Sequence, residues 1–346
     1  ATPAKATPAK ASPSKKAAVT PVVDPDLPMY PNGVVYHLAC TAADIADKFI
    51  FVGDPGRVDV VASEFDKGSV TFSGSHREIN IKTGKYHGVP VTVLSTGMGT
   101  DNIEIIINEI HALKEYDIKS HTWQTDKERK PANVHIIRVG TCGCPRPDVP
   151  VGTLAVTHHA IGMDNTSRYY DAPAVNATAS VKALQAAVDK TTLGKLHPYT
   201  TKANEDIVNS IVKATETFNS KLKKGQLAQS YIVGATASGS GFYGCQGRAV
   251  GKFRGHLTVP NLVDELGSIE FVVDAKKKTT EKVVNIEMEN SALCYLTNFL
   301  GYKAGTVCAI IARRAGELRE FAPDDVAKAA IANAITIGLE ALISVE

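Results

Sequence analysis

Residues 134–143 read VHIIRVGTCG, a short apolar run that contains one arginine and ends among glycines. Such a run predicts a buried β-strand. A guanidinium inside a buried strand is costly unless an anion pairs with it, so we expect Arg138 to face a carboxylate or a bound ligand. The loop expected at Thr141, between Gly140 and Gly143, suits a phosphate. An internal Arg–Asp pair is the alternative explanation.

Apolar runs and helical periodicity alternate on both sides of this segment. Strands are predicted at residues 49–53, 89–95, 134–140, 153–160, 231–237, 283–287 and 306–312. Helices are predicted at 102–113, with Asp101 as the cap, and at 181–188, 205–217, 291–300 and 324–342. This alternation is typical of a layered α/β domain, whose function usually lies at the carboxyl ends of its strands.

Composition excludes several classes of protein. The 346 residues are 44% hydrophobic, which suffices for one large core. The net charge is +2, and residues 1–20 hold four lysines and no acid, so the remainder is close to neutral and unlike a basic nucleic-acid-binding protein. No apolar run approaches the roughly 18 residues of a membrane span. Six cysteines in a chain of this length suggest reduced thiols and a cytoplasmic location.

The chain divides into a tail and one domain. Residues 1–30 begin as near repeats of Ala, Thr, Pro and Lys, a composition that predicts a disordered basic tail. Residues 31–346 are expected to form a single domain without an internal boundary. The polar residues at about 114–132, around Trp123, resemble an insertion in that domain.

Two more segments end in residues suited to anions and hydroxyls. Residues 49–58 read FIFVGDPGRV, in which Gly53 lets backbone N–H groups approach an oxyanion and Arg57 adds a bidentate charge. An ordinary turn followed by a surface arginine is the alternative. Residues 285–290 read NIEMEN, where a carboxylate such as Glu289 can accept from two adjacent hydroxyls. The alternative is an acid that stabilises a helix start.

A glycine-rich segment carries groups that suit a planar ring. Residues 238–248 read SGSGFYGCQGR, and Phe242, Gln246 and Arg248 could stack on a heterocycle and hydrogen-bond its edge. A mobile surface loop is the alternative. The adjacent His158 and His159 lie on a predicted strand and are interpreted as core residues rather than a metal site.

Several familiar motifs are absent. The sequence contains no phosphate-binding loop of the G-x-x-x-x-G-K-[ST] type, no H-E-x-x-H and no G-x-S-x-G. Asn102 stands where a dinucleotide fingerprint that begins at Gly97 needs its third glycine, which argues against NAD.

Five motifs, in this order, resemble those of the nucleoside phosphorylase-I family over the chain from Val35 onward. They lie at residues 36–38, 53–57, 75–78, 138–143 and 287–289. The resemblance implies a central mixed sheet, partly closed like a barrel and flanked by helices in three layers. It implies phosphorolysis, in which phosphate attacks C1′ of a nucleoside through an oxocarbenium-like transition state. The loop with Gln246 and Arg248 is of the family's pyrimidine type, which implies uridine as the substrate.

The resemblance also assigns roles to individual residues. The phosphate positions are Gly53, Arg57, Arg138 and Thr141, with Arg77 supplied by a neighbouring subunit. The ribose positions are Thr141, Glu287, Met288 and Glu289, with His37 supplied by the neighbour. The uracil positions are Cys142, Gly143, Phe242, Gln246, Arg248 and Arg314. The catalytic set is Arg138, Thr141, Gln246 and Arg248. Glu78 matches an acid that holds a cation at the subunit interface in some members.

Further expectations concern cofactors, partners and rival activities. The resemblance implies no catalytic cofactor, inorganic phosphate as co-substrate, no nucleic-acid or membrane partner, and at least a homodimer with shared active sites. The insertion at about 114–132 would block a hexamer and leave a dimer. A purine nucleoside phosphorylase, a phosphate-independent nucleosidase and a non-catalytic nucleoside-binding protein remain alternatives.

Overall fold

The computed structural model describes residues 26–123, 131–172, 177–317 and 319–346. Its strands are β1 (Lys48–Val52), β2 (Phe72–His76), β3 (Ile79–Tyr86), β4 (Val89–Ser95), β5 (Tyr116–Asp117), β6 (Thr122–Trp123), β7 (His135–Cys144), β8 (Leu154–Gly162), β9 (Tyr199–Lys202), β10 (Tyr231–Ser238), β11 (Glu270–Asp274), β12 (Thr279–Glu287), β13 (Lys303–Arg313) and β14 (Glu320–Phe321). Its α-helices are α1 (Pro55–Ala62), α2 (Thr100–Glu115), α3 (Ala179–Val188), α4 (Glu205–Ser220), α5 (Leu262–Ser268), α6 (Asn290–Leu300) and α7 (Asp324–Ser344).

The central strands are buried on both faces, which makes a layered structure. In β1, Ile50 and Val52 pack with residues of α1, α4 and α7. Phe49 and Phe51, which alternate with them, pack on the other face with residues of α2 and α6. All four side chains are 0% exposed. Helices on both faces of one sheet therefore sandwich a doubly buried strand, as its continuous apolar sequence predicts.

A mixed twelve-stranded sheet brings several carboxyl ends together. Strands β4, β1, β7 and β13 are neighbours and run parallel. The expected partial barrel closure is not supported, because within the described residues β12 returns to β7 through a single residue pair, Ile286 opposite Gly143, and not through a ladder. That one antiparallel pair is still enough to place the end of β12 beside the end of β7.

Each predicted strand and helix coincides with an observed element, and the errors lie at element ends and in elements that were not predicted. Strand β7 continues to Cys144, so Thr141 and Gly143 belong to the strand and not to the expected loop. Asp101 does not cap α2, because the capping residue is Gly99 with φ of 99°. Strand β3, eight residues long, was not predicted. Helices α1 and α5 and strands β5, β6, β9, β11 and β14 were also missed, since each is shorter than a clear periodic pattern.

The predicted tail and the predicted insertion are both described in part. Residues 124–130 of the insertion and 1–25 of the tail lie outside the described residues. The described part of the insertion is the β5–β6 hairpin, whose Trp123 stacks on His111 with ring centroids 4.9 Å apart. Met29 is buried in the core although it falls inside the predicted tail.

One helix in the described residues, α7, is long and apolar enough to cross a membrane. Its Ala334, Ile337 and Leu342 are each 0% exposed and pack in the core with Ile50 of β1 and Ile137 of β7. In this structure α7 is therefore a core helix of the central sheet.

Candidate active site

A cavity of about 480 Å³ opens at the carboxyl ends of β1, β7 and β12. This volume falls in the range of small-molecule sites. Thirteen residues predicted from the sequence line it: Gly53, Arg57, Glu78, Arg138, Thr141, Cys142, Gly143, Phe242, Gln246, Arg248, Glu287, Met288 and Glu289. The remaining three do not line it: His37, Arg77 and Arg314.

Two glutamates provide the anion that the buried Arg138 requires. Arg138 is 4% exposed, and its Nη2 donates a hydrogen bond to Oε2 of Glu289. Its Nη1 lies 3.2 Å from Oε2 of Glu287 and 3.3 Å from Sγ of Cys308. Burial alone lowers the pKa of Arg138, but the two carboxylates and the thiol outweigh burial and raise it. The guanidinium is therefore charged, and only its Nε lacks a hydrogen-bond partner.

Gly140 makes room for this guanidinium. Residues 138 and 140 lie on the same face of β7, because side chains alternate along a strand. A Cβ atom on Gly140 would lie 2.4 Å from Nη1 of Arg138 and 3.0 Å from Sγ of Cys308. No side chain can therefore replace Gly140 unless Arg138 leaves its ion pairs.

Glu287 holds the junction between β12 and α6. Its Oε2 accepts from the backbone N–H of Glu289 at 2.9 Å and of Asn290 at 3.0 Å. Its Oε1 accepts from the hydroxyl of Ser238, at the end of β10. Glu287 thus satisfies N–H groups at the start of α6, where a carboxylate also stabilises the helix dipole.

Glu289 is more available to a ligand. One oxygen accepts from Arg138, and the other accepts from the backbone N–H of Gly99 at 2.7 Å. Burial and the nearby Glu287 raise the pKa of Glu289 to about 7, although Arg138 opposes that shift. Its ionisation therefore changes near neutral pH.

Arg57 is the cavity arginine whose side chain has no hydrogen bond or ion pair among the described residues. It lies in the first turn of α1, which Asp54 caps by accepting from the N–H of Gly56 at 2.9 Å. Pro55 at the first helical position adds a favourable start. Burial lowers the pKa of Arg57, and the neighbouring Asp54 partly opposes that. This guanidinium is therefore the one that can bind an entering anion without giving up another side-chain partner.

The glycine-rich segment covers the cavity from the end of β10. The guanidinium of Arg248 lies 3.9 Å from the centroid of the Phe242 ring and donates to the backbone oxygen of Phe242 at 2.7 Å. It also donates to Oε1 of Gln246 at 2.7 Å. Gln246 is 3% exposed, so Arg248 fixes a buried amide with its NH₂ group away from the guanidinium. The Phe242 ring is 47% exposed and is available to stack.

Arg314 supports this segment from outside the cavity. Its Nη2 donates to the backbone oxygen of Gln246 at 2.9 Å. Burial and the nearby Arg248 lower the pKa of Arg314 to about 10. A Cβ atom on Gly143 would lie 3.0 Å from Cγ of Arg314, so a glycine at 143 allows the arginine to pass.

The two residues that the resemblance assigns to a neighbouring subunit lie together, away from their own cavity. Tyr36 contacts both: its ring packs edge-on against His37 at 4.9 Å, and its hydroxyl lies 3.4 Å from Nη2 of Arg77. Nδ1 of His37 lies 2.7 Å from Oε1 of Glu109. Arg77 is exposed at the tip of the β2–β3 hairpin with φ of 53°.

The cavity also contains residues that the sequence did not point to. Met98, 76% exposed, and Phe321, 70% exposed, line the mouth, and Gly99 binds Glu289. The broken fingerprint that begins at Gly97 was the one sequence feature near Met98. Phe321 belongs to no motif. Glu78 is exposed, and the one cluster suited to a metal in the described residues does not include it.

The fold and this cavity define a mixed α/β protein of the nucleoside phosphorylase type. A sequence model described as the phosphorylase superfamily matches residues 48–344, and the chain belongs to that superfamily.

Two relatives and one solved structure show which members of the superfamily this chain is similar to. The chain is 30% identical over 295 residues to a uridine phosphorylase of Thermococcus kodakarensis, a match that covers 84% of this chain and 82% of the relative. It is 30% identical over 132 residues to a DeoD-type purine nucleoside phosphorylase of Geobacillus kaustophilus, over 38% of this chain and 48% of the relative. A crystal structure of a Trypanosoma brucei nucleoside phosphorylase, described as showing uridine phosphorylase activity, superposes with a TM-score of 0.87 at 48% identity. That superposition covers 92% of this chain and 100% of the other.

Proposed function

We propose that this chain is a uridine phosphorylase, which cleaves uridine with inorganic phosphate to give uracil and ribose 1-phosphate. The observation that carries the proposal is one cavity with four features. It holds an arginine whose side chain has no partner in the described part of the chain, a buried diol acceptor, and an amide–guanidinium pair beside an exposed ring. These are Arg57, Glu289, and Gln246 with Arg248 and Phe242. The activity named for the Trypanosoma brucei structure supports the same substrate.

Each group has one place in the reaction. Phosphate binds Arg57, the backbone at Gly53 after β1, and Thr141 at the end of β7. The ribose lies over Met288 with its 2′- and 3′-hydroxyls donating to Glu289. Uracil stacks on Phe242 and accepts hydrogen bonds from Gln246 and Arg248. A phosphate oxygen then forms a bond to C1′ as the glycosidic bond breaks, and its electron pair stays on the leaving uracil.

The amide and guanidinium account for the rate. Negative charge develops on the uracil ring and its carbonyl oxygens, so donors fixed beside the ring bind the transition state more tightly than the ground state. The hydrogen bond from Arg248 to Oε1 of Gln246 fixes which end of the amide carries the NH₂. One N–H of that group contacts the backbone oxygen of Glu287 at 3.5 Å, so the second N–H is the donor for the charged ring. The bound dianion stabilises the positive charge on the sugar.

Arg138 links the sugar and phosphate subsites. The resemblance makes it a phosphate ligand, yet in this structure both Nη atoms contact carboxylates. When the ribose hydroxyls donate to Glu289, they replace part of the hydrogen bonding that Arg138 supplies to this carboxylate. The guanidinium can then turn a donor toward phosphate. Binding of the two substrates is therefore expected to be cooperative.

The base subsite favours a pyrimidine over a purine. The acids that line the cavity are Asp54, Glu78, Glu287 and Glu289, and none belongs to the segment at residues 242–248. Strand β13 ends at Arg313 and is followed by Arg314, and neither position is an acid that could protonate a purine ring.

Several features around the site belong to the same proposal. His37 and Arg77 complete the site of a neighbouring subunit in at least a homodimer, and the hairpin with Trp123 keeps the assembly at two chains. A cation at Glu78 and a cytoplasmic location are part of it as well. All six cysteines are free thiols, which fits a reducing compartment.

An absorbance assay with and without phosphate tests the function. We expect loss of the uridine chromophore only when phosphate is present, with one ribose 1-phosphate formed per uracil. Turnover without phosphate would indicate a nucleosidase, and faster cleavage of inosine would indicate a purine enzyme. Tight binding of uracil and phosphate without product would indicate a binding protein.

A further inference from the structure

A second polar cluster lies in the sheet, away from the cavity. It consists of His158 and His159 on β8 and Glu281 near the start of β12. Glu281 is six residues before Glu287 on the same strand, so roughly 20 Å separates the cluster from the active site. His159 is 0% exposed, as expected of a core residue, but its ring faces polar groups.

A β-bulge brings the two consecutive histidines to the same side. Neighbouring strand residues normally point to opposite faces. Here Gly234 of β10 pairs with Thr157, and the next residue, Ala235, pairs with His159, so His158 is the extra residue. The two imidazole centroids are consequently only 4.3 Å apart.

The same nitrogen of each ring faces one carboxylate. Nδ1 of His158 contacts Oε1 of Glu281, and Nδ1 of His159 lies 3.0 Å from its Oε2. The nitrogen and oxygen ligand atoms of the three side chains all lie within 4.8 Å of one another. Atoms bound to one tetrahedral zinc at about 2.0–2.2 Å lie roughly 3.3 Å apart, so only small shifts are needed.

The opposite nitrogens are held by outer partners. Nε2 of His158 lies 3.1 Å from Oε2 of Glu205, at the start of α4. Nε2 of His159 lies 2.9 Å from Oγ of Ser180, in the first turn of α3. Metal-binding histidines commonly donate their second N–H to such a partner, which leaves a lone pair on the first nitrogen. With the second proton of each ring on Nε2, two Nδ1 lone pairs and the Glu281 carboxylate converge, and a cation can bind between them.

We propose that His158, His159 and Glu281 bind one zinc ion through both Nδ1 atoms and the carboxylate, with water as the fourth ligand. Two imidazoles favour a transition metal over calcium or magnesium, which prefer oxygen ligands. The His158 and Glu281 side chains are 12% and 14% exposed, so the ion has a path from solvent. The ion joins β8 to β12 across the intervening β10 and stabilises this side of the sheet.

Zinc binding by the tag-free full chain tests this proposal. After removal of metal with a chelator, competition with a chromophoric chelator is expected to show one zinc per chain. Glu281→Gln can still hydrogen-bond both rings but lacks the charge, and H158A lacks one ligand. Each is expected to bind zinc about 100-fold more weakly or worse. H256A removes an exposed histidine outside the cluster and should bind like the wild type.

Two further readouts do not depend on catalysis. Zinc should raise the Tm of the wild type by a few degrees and leave that of E281Q unchanged, because only the native site binds the ion. Cobalt(II) should give the visible absorption of a tetrahedral site in the wild type alone. Less than one zinc per chain, equal binding by wild type and E281Q, or equal competition by calcium would overturn the proposal. The result is independent of the proposed uridine phosphorolysis.

Discussion

Arg138 and Glu289 form an ion pair at the base of the cavity, with exposures of 4% and 3%. The pair joins the middle of β7 to the residue that precedes α6. Removing one member of such a buried pair is strongly destabilising, because the other charge stays buried without a partner. Glu289, the proposed sugar acceptor, and Arg138 therefore hold each other in position before any substrate binds.

The first prediction concerns Glu289→Gln. The amide keeps a similar shape but cannot accept from both ribose hydroxyls and Arg138, so kcat/KM for uridine should fall about 100-fold or more. For a 2′,3′-dideoxy analogue, which lacks those hydroxyls, the same substitution should lower kcat/KM much less. Steady-state kinetics on both nucleosides measures the difference, and E317Q, an exposed position outside the cavity, is the matched control. An equal loss for both substrates would contradict the diol role.

The second prediction is a pH dependence of uridine binding. The pKa of Glu289 is raised to about 7, so the acceptor carboxylate is present above that pH and is lost as pH falls through it. Below pH 7 the uridine Kd should rise about tenfold per pH unit. Calorimetry without phosphate isolates the effect from the ionisation of phosphate itself. E289Q should show a flat profile between pH 5 and 8, and a wild-type profile as flat as that would contradict the assignment.

The third prediction concerns Arg57 and phosphate. Since Arg57 is the cavity arginine with no partner among the described residues, R57A should raise the phosphate KM by about 10- to 100-fold with a smaller effect on uridine. Arg57→Lys should restore only part of the phosphate affinity lost in R57A, because an ammonium group cannot bind an anion bidentately. R168A removes an exposed arginine outside the cavity and should leave both KM values unchanged. An unaltered phosphate KM in R57A would show that Arg57 does not bind phosphate.

Much of this site could be predicted because its residues follow buried strands. The run that contains Arg138 identifies both a strand and an uncompensated charge, and parallel strands deliver their ends to one edge. The partner of that charge could not be predicted. Glu289 lies 151 residues further along the chain, and only the return of β12 to β7 brings the two together. The N–H of Gly99, which binds the same carboxylate, carries no sequence signal.

The errors have related causes. Asp101 has a favourable residue type for a helix cap, but Gly99 adopts a conformation with positive φ and starts α2 earlier. The placement of His158 and His159 on one side of the sheet could not be predicted, because the bulge that produces it depends on pairing with β10. Patterns along the chain predict which face a residue occupies only while the strand register is regular.

The fourth prediction concerns Gly140→Ala. The added methyl would lie 2.4 Å from a guanidinium that two glutamates hold in place, so the variant should lose about 1–3 kcal/mol of unfolding free energy and most of its activity. Gly194→Ala is the control, because its nearest neighbour would be 3.9 Å away. Urea unfolding and uridine turnover measure both effects. A stable and active G140A protein would show that Arg138 can leave its ion pairs freely.

The last prediction tests whether active sites are shared between chains. Arg77 and His37 contact Tyr36 but do not line their own cavity, so each cavity should depend on a neighbour for Arg77. R77A and E289A should each be nearly inactive alone. When co-expressed, a mixed dimer regains one intact site, because the E289A chain supplies Arg77 to the intact Glu289 of the other. Mixing R77A with the R77A/E289A double variant restores nothing and is the control. If Arg77 acted within its own chain, the first mixture would be as inactive as the second.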